Sequence, residues 1–86
     1  MADMWVQLPN GERILLKVSL LTGSLRVLYN DKEVCKIGSR GGTAVFNIGD
    51  DNIEIEYKTS MLFGTQKIIV KFNNRKIYEN KLVMGM

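Results

Sequence analysis

Few side chains in this chain of 86 residues could perform covalent chemistry. The chain has no histidine, which excludes the commonest general base, the commonest metal ligand and every triad that needs an imidazole. Cys35 is the single cysteine, and its neighbours Glu33 and Lys36 offer mixed charge and no base to activate the thiol. One cysteine without histidine cannot form a structural zinc site. The inventory therefore predicts a protein that is not an enzyme and has no metal or other cofactor.

Two other stretches could bind a cation or a phosphate. Asp50, Asp51 and Glu54 form the one acidic cluster, but two aspartates at a turn are typical of a solvated hairpin. The segment 39–43, Ser-Arg-Gly-Gly-Thr, has the composition of a phosphate loop. Phosphate loops precede a helix, whereas the residues that follow here alternate like a strand, so we interpret the segment as a flexible strand connection.

Two aromatic residues remain candidates for binding. Alternation places Tyr29, Tyr57, Phe46 and Phe72 on apolar strand faces. Trp5 and Tyr78 are left outside the expected core. Either one could stack on a sugar ring. This predicts, as one alternative, a ligand-binding module of the carbohydrate type.

The net charge of +3 and the pI of about 9.2 raise the alternative of a weak nucleic-acid binder. Lys67 and Lys71 share a strand face. They belong to a set of basic residues in the last quarter of the chain: Lys67, Lys71, Arg75, Lys76 and Lys81. Such binding also needs exposed aromatic side chains beside the charges. Glu54 and Glu56 on the preceding strand could instead pair with the lysines, and we therefore rank nucleic acid below the other partners.

Alternation with a period of two runs through the whole chain. Ile53, Ile55 and Tyr57 fall on one face of a clear example, with polar residues between them. Asn and Gly pairs, such as Asn10-Gly11, separate these runs and suit tight hairpin turns. The predicted strands are 4–8, 12–19, 25–29, 33–37, 43–48, 52–60, 66–72 and 75–82.

The two halves of the chain resemble each other. Residues 14–23 align with 55–64 and share the string Lys-x-Ser-x-Leu-x-Gly, and residues 26–32 align with 69–75. Two four-strand units that cannot bury their apolar faces alone would stack on each other. We therefore predict a single all-β domain over residues 1–86, an antiparallel β-sandwich of about eight strands, with related units at about 4–40 and 44–83.

The order of these features resembles the N-terminal domain of the Fas apoptotic inhibitory molecule family over residues 5–81. The residues that carry the likeness are Trp5 to Leu8 with Gly11, Thr22-Gly23, the segments 26–33, 46–49, 53–55 and 72–75, and Tyr78. The resemblance implies a compact β-sandwich with a non-catalytic role linked to protection from cell death. We transfer no functional residue from the family.

Taken together, these observations predict a non-enzymatic module that binds another protein through an edge strand or an exposed patch. The candidate interaction surface is Trp5, Tyr78, Lys67, Lys71, Leu21, Leu62 and Phe63. Apolar residues in the corners also offer a patch for self-association. No apolar run approaches the ~20 residues that span a bilayer, and the start lacks a secretory pattern. We therefore expect a cytoplasmic protein without membrane contact.

Overall fold

The computed structural model describes residues 2–19, 21–60 and 64–83. Within these residues the chain forms eight strands: β1 (Ala2–Gln7), β2 (Arg13–Val18), β3 (Leu25–Tyr29), β4 (Lys32–Ile37), β5 (Gly42–Ile48), β6 (Asp51–Ser60), β7 (Thr65–Phe72) and β8 (Arg75–Val83). The predicted strands are confirmed, and no bound differs by more than two residues. No helix in the described ranges is long and apolar enough to cross a membrane.

The strands form two four-stranded antiparallel sheets, which confirms the predicted sandwich. The first sheet has the order β1-β2-β3-β4 and the second the order β5-β6-β7-β8, so every strand pairs with its neighbour in sequence. β1 lies over β8, since Asn80 Nδ2 donates a hydrogen bond to Met4 Sδ at 3.0 Å. At the opposite side of the sandwich, residues 38–41 carry the chain from β4 to β5.

The core fills the space between the sheets with alternate residues of each strand. The fully buried side chains are Leu8, Ile14, Leu16, Val18, Leu25, Val27, Ile53, Ile55, Tyr57, Ile68 and Val70. Each large apolar side chain removed from water in this way contributes about 1.5–3 kcal/mol. The one polar tip in this set, the Tyr57 hydroxyl, donates to the carbonyl of Gly23 at 2.6 Å and accepts a hydrogen bond from Gln66 Nε2 at 2.7 Å.

The tight turns gather at one end of the sandwich. Asn30 and Asp31 have φ values of 52° and 65°, and Asn73 and Asn74 have values of 50° and 68°. Two consecutive residues with positive φ are typical of the primed hairpin turns that asparagine tolerates, as the sequence predicted. Both hairpins also contain a register shift, between Val27 and Leu28 in the first sheet and between Val70 and Lys71 in the second. The two sheets thus share turn conformation and bulge position.

Asp51 links the turns of the two sheets. Its carboxylate accepts hydrogen bonds from Asn10 Nδ2 of the first sheet at 3.0 Å and from Asn73 Nδ2 of the second at 3.1 Å. Asp51 of the acidic cluster is therefore a hydrogen-bond acceptor for amides at the turns. Within the described residues, no group of three or more cysteine or acidic side chains could hold a metal ion.

Candidate functional site

An apolar row crosses the outer face of the first sheet. Trp5 on β1 lies opposite Leu15 on β2, and Leu15 lies opposite Leu28 on β3. These positions alternate with core residues and therefore point away from the second sheet. Trp5 is 57% exposed, and the two leucines are half-buried beside it. We call these three residues the apolar row.

Arg13 covers part of this row. Its guanidinium lies 4.5 Å from the centroid of the Trp5 ring, a cation–π contact that occupies one face of the indole. Asn30 and Asp31, in the β3–β4 turn, complete a shallow cleft of about 150 Å³ over Leu15 and Leu28. Pockets for cofactors and drug-sized ligands enclose about 300–1,000 Å³. The cleft therefore has room for a single side chain of a partner.

A second row, of cations, runs beside the first. Lys17 on β2 lies opposite Arg26 on β3, and Arg26 lies opposite Lys36 on β4. Adjacent strands are about 4.8 Å apart, and like charges directly opposite each other destabilise a sheet. We call these three residues the cationic row.

Acidic side chains balance the cationic row only in part. Arg26 Nε binds Glu33 Oε1 at 2.6 Å, and Asp3 stands opposite Lys17 in register. Among the described residues, the salt bridges include neither Lys17 nor Lys36. The face therefore keeps unpaired positive charge next to exposed apolar surface.

On the outer face of the second sheet, ion pairs engage Lys67, Lys71 and Lys76. Lys58 and Lys81, the in-register neighbours of Lys67, form no salt bridge among the described residues. Lys71 Nζ lies 3.3 Å from Glu56 and 3.6 Å from Glu54, as the sequence suggested. Lys67 instead binds Glu79 on β8 at 2.9 Å, because its in-register neighbours on both sides are lysines. These ion pairs offset the charges of Lys67 and Lys71 themselves.

The same ion pairs shift the pKa values of Glu79 and Lys71. Hydrogen bonds from Lys76 and Lys67 lower the pKa of Glu79 from the usual 4.5 to about 2. The hydrogen bond to Glu56 raises the pKa of Lys71. Beneath these side chains Ile69, which points outward, is only 7% exposed. The network thus covers Ile69.

Tyr78 does not join Trp5 in a common site. It packs against the core from β8, and its hydroxyl accepts a hydrogen bond from Asn80 Nδ2 at 3.1 Å. The register shift between Val70 and Lys71 changes the phase of alternation along β8. That shift turns Tyr78 inward, so its ring is half-buried rather than a free stacking platform.

Cys35 is a half-buried residue that packs against the core. Burial, assisted by the nearby Glu33 carboxylate, raises the pKa of its thiol to about 11. Such a thiol is scarcely ionised at neutral pH and is a poor nucleophile.

The predicted corner residues divide into two groups. Leu21 is 98% exposed, at the corner between β2 and β3, far from the turns at the other end. Leu62 and Phe63 lie outside the described residues, as do two other corner positions considered for self-association, Leu20 and Met61.

Sequence reasoning named Trp5 but missed the cationic row. The signal was present in the positions of the charged residues, yet it becomes visible only when the registers of three strands are known. Comparisons with protein-family models, curated proteins and solved structures give no match to this chain. We therefore infer function from the geometry of this face.

Proposed function

We propose that the protein is a non-enzymatic interaction module that docks a segment of another protein on the outer face of its first sheet. The observation that carries this proposal is the apolar row lying directly beside the cationic row. Protein interfaces favour exposed aromatic and arginine side chains at their centres, and Trp5 with Arg13 supplies that combination.

The chemistry of the face defines the partner. Lys17 and Lys36, which form no salt bridge among the described residues, favour acidic side chains in a partner, and the small cleft favours one apolar anchor residue. The partner segment therefore carries an apolar residue flanked by aspartate or glutamate. The resemblance to the Fas apoptotic inhibitory molecule family, which is non-catalytic, supports the same class of function.

A carbohydrate ligand is the second candidate, since Trp5 is exposed enough to stack on a sugar. The guanidinium of Arg13 already occupies one face of the indole, so a sugar on that face must displace it. The protein segment needs no such displacement, because it can extend the existing contact. For this reason the protein partner ranks first.

The test uses synthetic peptides that carry a leucine or phenylalanine between acidic residues. Trp5 is the only tryptophan, so its emission reports directly on the face. We expect these peptides to shift the emission, and added salt to weaken binding. Matched peptides with lysine in place of the acids, or serine in place of the anchor, should not bind.

Variants identify the binding face through the anisotropy of a labelled peptide. Trp5→Ala should weaken binding about thirtyfold, as expected for an aromatic anchor, and Lys17→Glu should weaken it further than neutralisation alone. Leu21→Ala and Lys58→Glu are the controls, because both residues are exposed and lie off this face. Equal loss in the controls, or binding of a glycan panel or an oligonucleotide in place of the peptides, would contradict the proposal.

A further inference from the structure

The four edge strands differ in how they are protected against pairing. β1 contains Asp3, β4 contains three charged residues and a register shift, and β8 contains four charged residues and a register shift. β5 runs from Gly42 to Ile48 without a charge, a proline or a register shift. Charges, prolines and bulges are the devices that keep sheet edges from joining other chains. β5 alone lacks all three of these devices, and β4 of the first sheet lies close to it.

We propose that two copies of this protein pair through β5, antiparallel and about a twofold axis at Val45. The second sheets of the two copies then form one continuous sheet of eight strands. This interface is separate from the face proposed above to dock a partner, because that face belongs to the first sheet.

The sequence of β5 is complementary to itself in this register. Val45 is the middle residue of the strand, so centring the axis there pairs all seven residues. On the outer face Val45, which is 54% exposed, meets its own copy, and Thr43 meets Asn47. On the inner face the small Ala44 lies opposite the large Phe46 of the second copy. Pairing would therefore remove more of these half-buried side chains from water.

The turns that flank β5 carry opposite charges. Arg40 precedes the strand and Asp50 follows it, and both are exposed. Antiparallel pairing brings the turn with Arg40 next to the turn with Asp50 of the second copy, twice by symmetry. Among the described residues neither side chain forms a salt bridge within its own chain. The interface therefore gains two ion pairs of complementary sign.

The nearest carboxylates inside the sheet do not oppose this arrangement. Glu54 on β6 lies opposite Val45, and the two copies of Glu54 would be three strand spacings apart. That separation is about 14 Å, longer than the screening length of about 8 Å at physiological salt. Repulsion across the interface is consequently weak.

Sedimentation equilibrium from micromolar to millimolar concentration tests the proposal. The wild-type protein should be a monomer–dimer equilibrium, and Val45→Lys should raise its dissociation constant at least about tenfold by placing two lysines opposite each other. Val34→Lys is the matched control, since Val34 is the exposed valine of the β4 edge. A wild-type protein that stays monomeric, or equal losses in both variants, would overturn the assignment to β5.

Charge reversal and crosslinking test the register without relying on Val45→Lys. Arg40→Asp and Asp50→Arg should each weaken the dimer, and the double variant should restore it. In a Cys35→Ser background, Val45→Cys should form an intermolecular disulfide under mild oxidation, because facing Cα atoms in an antiparallel pair lie about 4.5–5.5 Å apart. Thr43→Cys faces Asn47 and should crosslink far more slowly.

Failure of the double charge reversal to recover dimerisation, or equal crosslinking at 43 and 45, would show that the twofold axis is elsewhere. Peptide docking on the first sheet should be unchanged in Val45→Lys, so the two proposals can fail independently.

Discussion

The hydroxyl of Tyr57, on β6 of the second sheet, donates a 2.6 Å hydrogen bond to the carbonyl of Gly23, in the corner between β2 and β3 of the first sheet. The two sheets are thus joined by a polar contact at the edge of the apolar core. The same hydroxyl accepts a hydrogen bond from Nε2 of Gln66, a residue that is only 6% exposed. Burial raises the pKa of Tyr57, so the phenol remains a donor at physiological pH.

Removing the Tyr57 hydroxyl should therefore be costly. We expect Tyr57→Phe to lower the free energy of unfolding by about 1–3 kcal/mol, because the half-buried carbonyl of Gly23 and the buried amide of Gln66 lose their partner. Tyr78→Phe is the control: its half-buried hydroxyl bonds only Asn80 among the described residues, and the loss should stay below about 1 kcal/mol. Urea denaturation measures both, and equal losses would contradict this role for Tyr57.

Gly41 occupies a position that no other residue fits. Its φ is 86°, and a Cβ there would lie 2.5 Å from the carbonyl oxygen of Tyr57. We expect Gly41→Ala to destabilise the fold by more than about 2 kcal/mol through clash and backbone strain. Gly11 has a φ of 90° with no atom near the Cβ position. Gly11→Ala should therefore lower the free energy of unfolding by about 1 kcal/mol, through backbone strain alone. Thermal unfolding of the pair tests whether the clash adds to the strain.

Alkylation should be slow at Cys35. Raising the pKa from 9.0 to about 11 leaves about 100-fold less thiolate at neutral pH, and partial burial restricts access as well. Iodoacetamide labelling followed by mass spectrometry should give a rate at least about 100-fold below that of free cysteine. The rate should rise to the free value in denaturant. Rapid labelling of the folded protein would show that the thiol is exposed.

Acid pH should weaken the ion pairs of Glu79 on the outer face of the second sheet. The pKa of Glu79 is lowered in the folded protein, so its ion pairs stabilise the fold fully above the unfolded value near 4.5. This stabilisation is lost as the pH falls from there toward about 2. Glu79→Gln should flatten the dependence of stability on pH in this window. Denaturant titrations at a series of acid pH values check the prediction.

Local chemistry explains which parts of the fold the sequence predicts. Asn30-Asp31 and Asn73-Asn74 adopt positive φ, which few other residue pairs tolerate, so their turns are readable from residue type alone. The alternation of Ile53, Ile55 and Tyr57 likewise predicts the inner face of β6. Both signals lie within a few residues of the feature that they predict.

The candidate site depends on information that lies between strands. Lys17, Arg26 and Lys36 line up only because two hairpins fix their registers, and a bulge in the second hairpin shifts one of them. The bulge between Val70 and Lys71 likewise turns Tyr78 inward. A bulge of this kind inserts no characteristic residue, so the phase of the strand beyond it cannot be obtained from alternation.

The consecutive strand order has a kinetic consequence. Every backbone pairing joins strands that are adjacent in the chain, so each hairpin can close before distant segments meet. Sandwiches with Greek-key crossings must instead assemble strands far apart in sequence. We expect this chain to fold quickly for an all-β protein. A cut in residues 38–41, the single crossing between the sheets, should leave two fragments that reassemble when mixed.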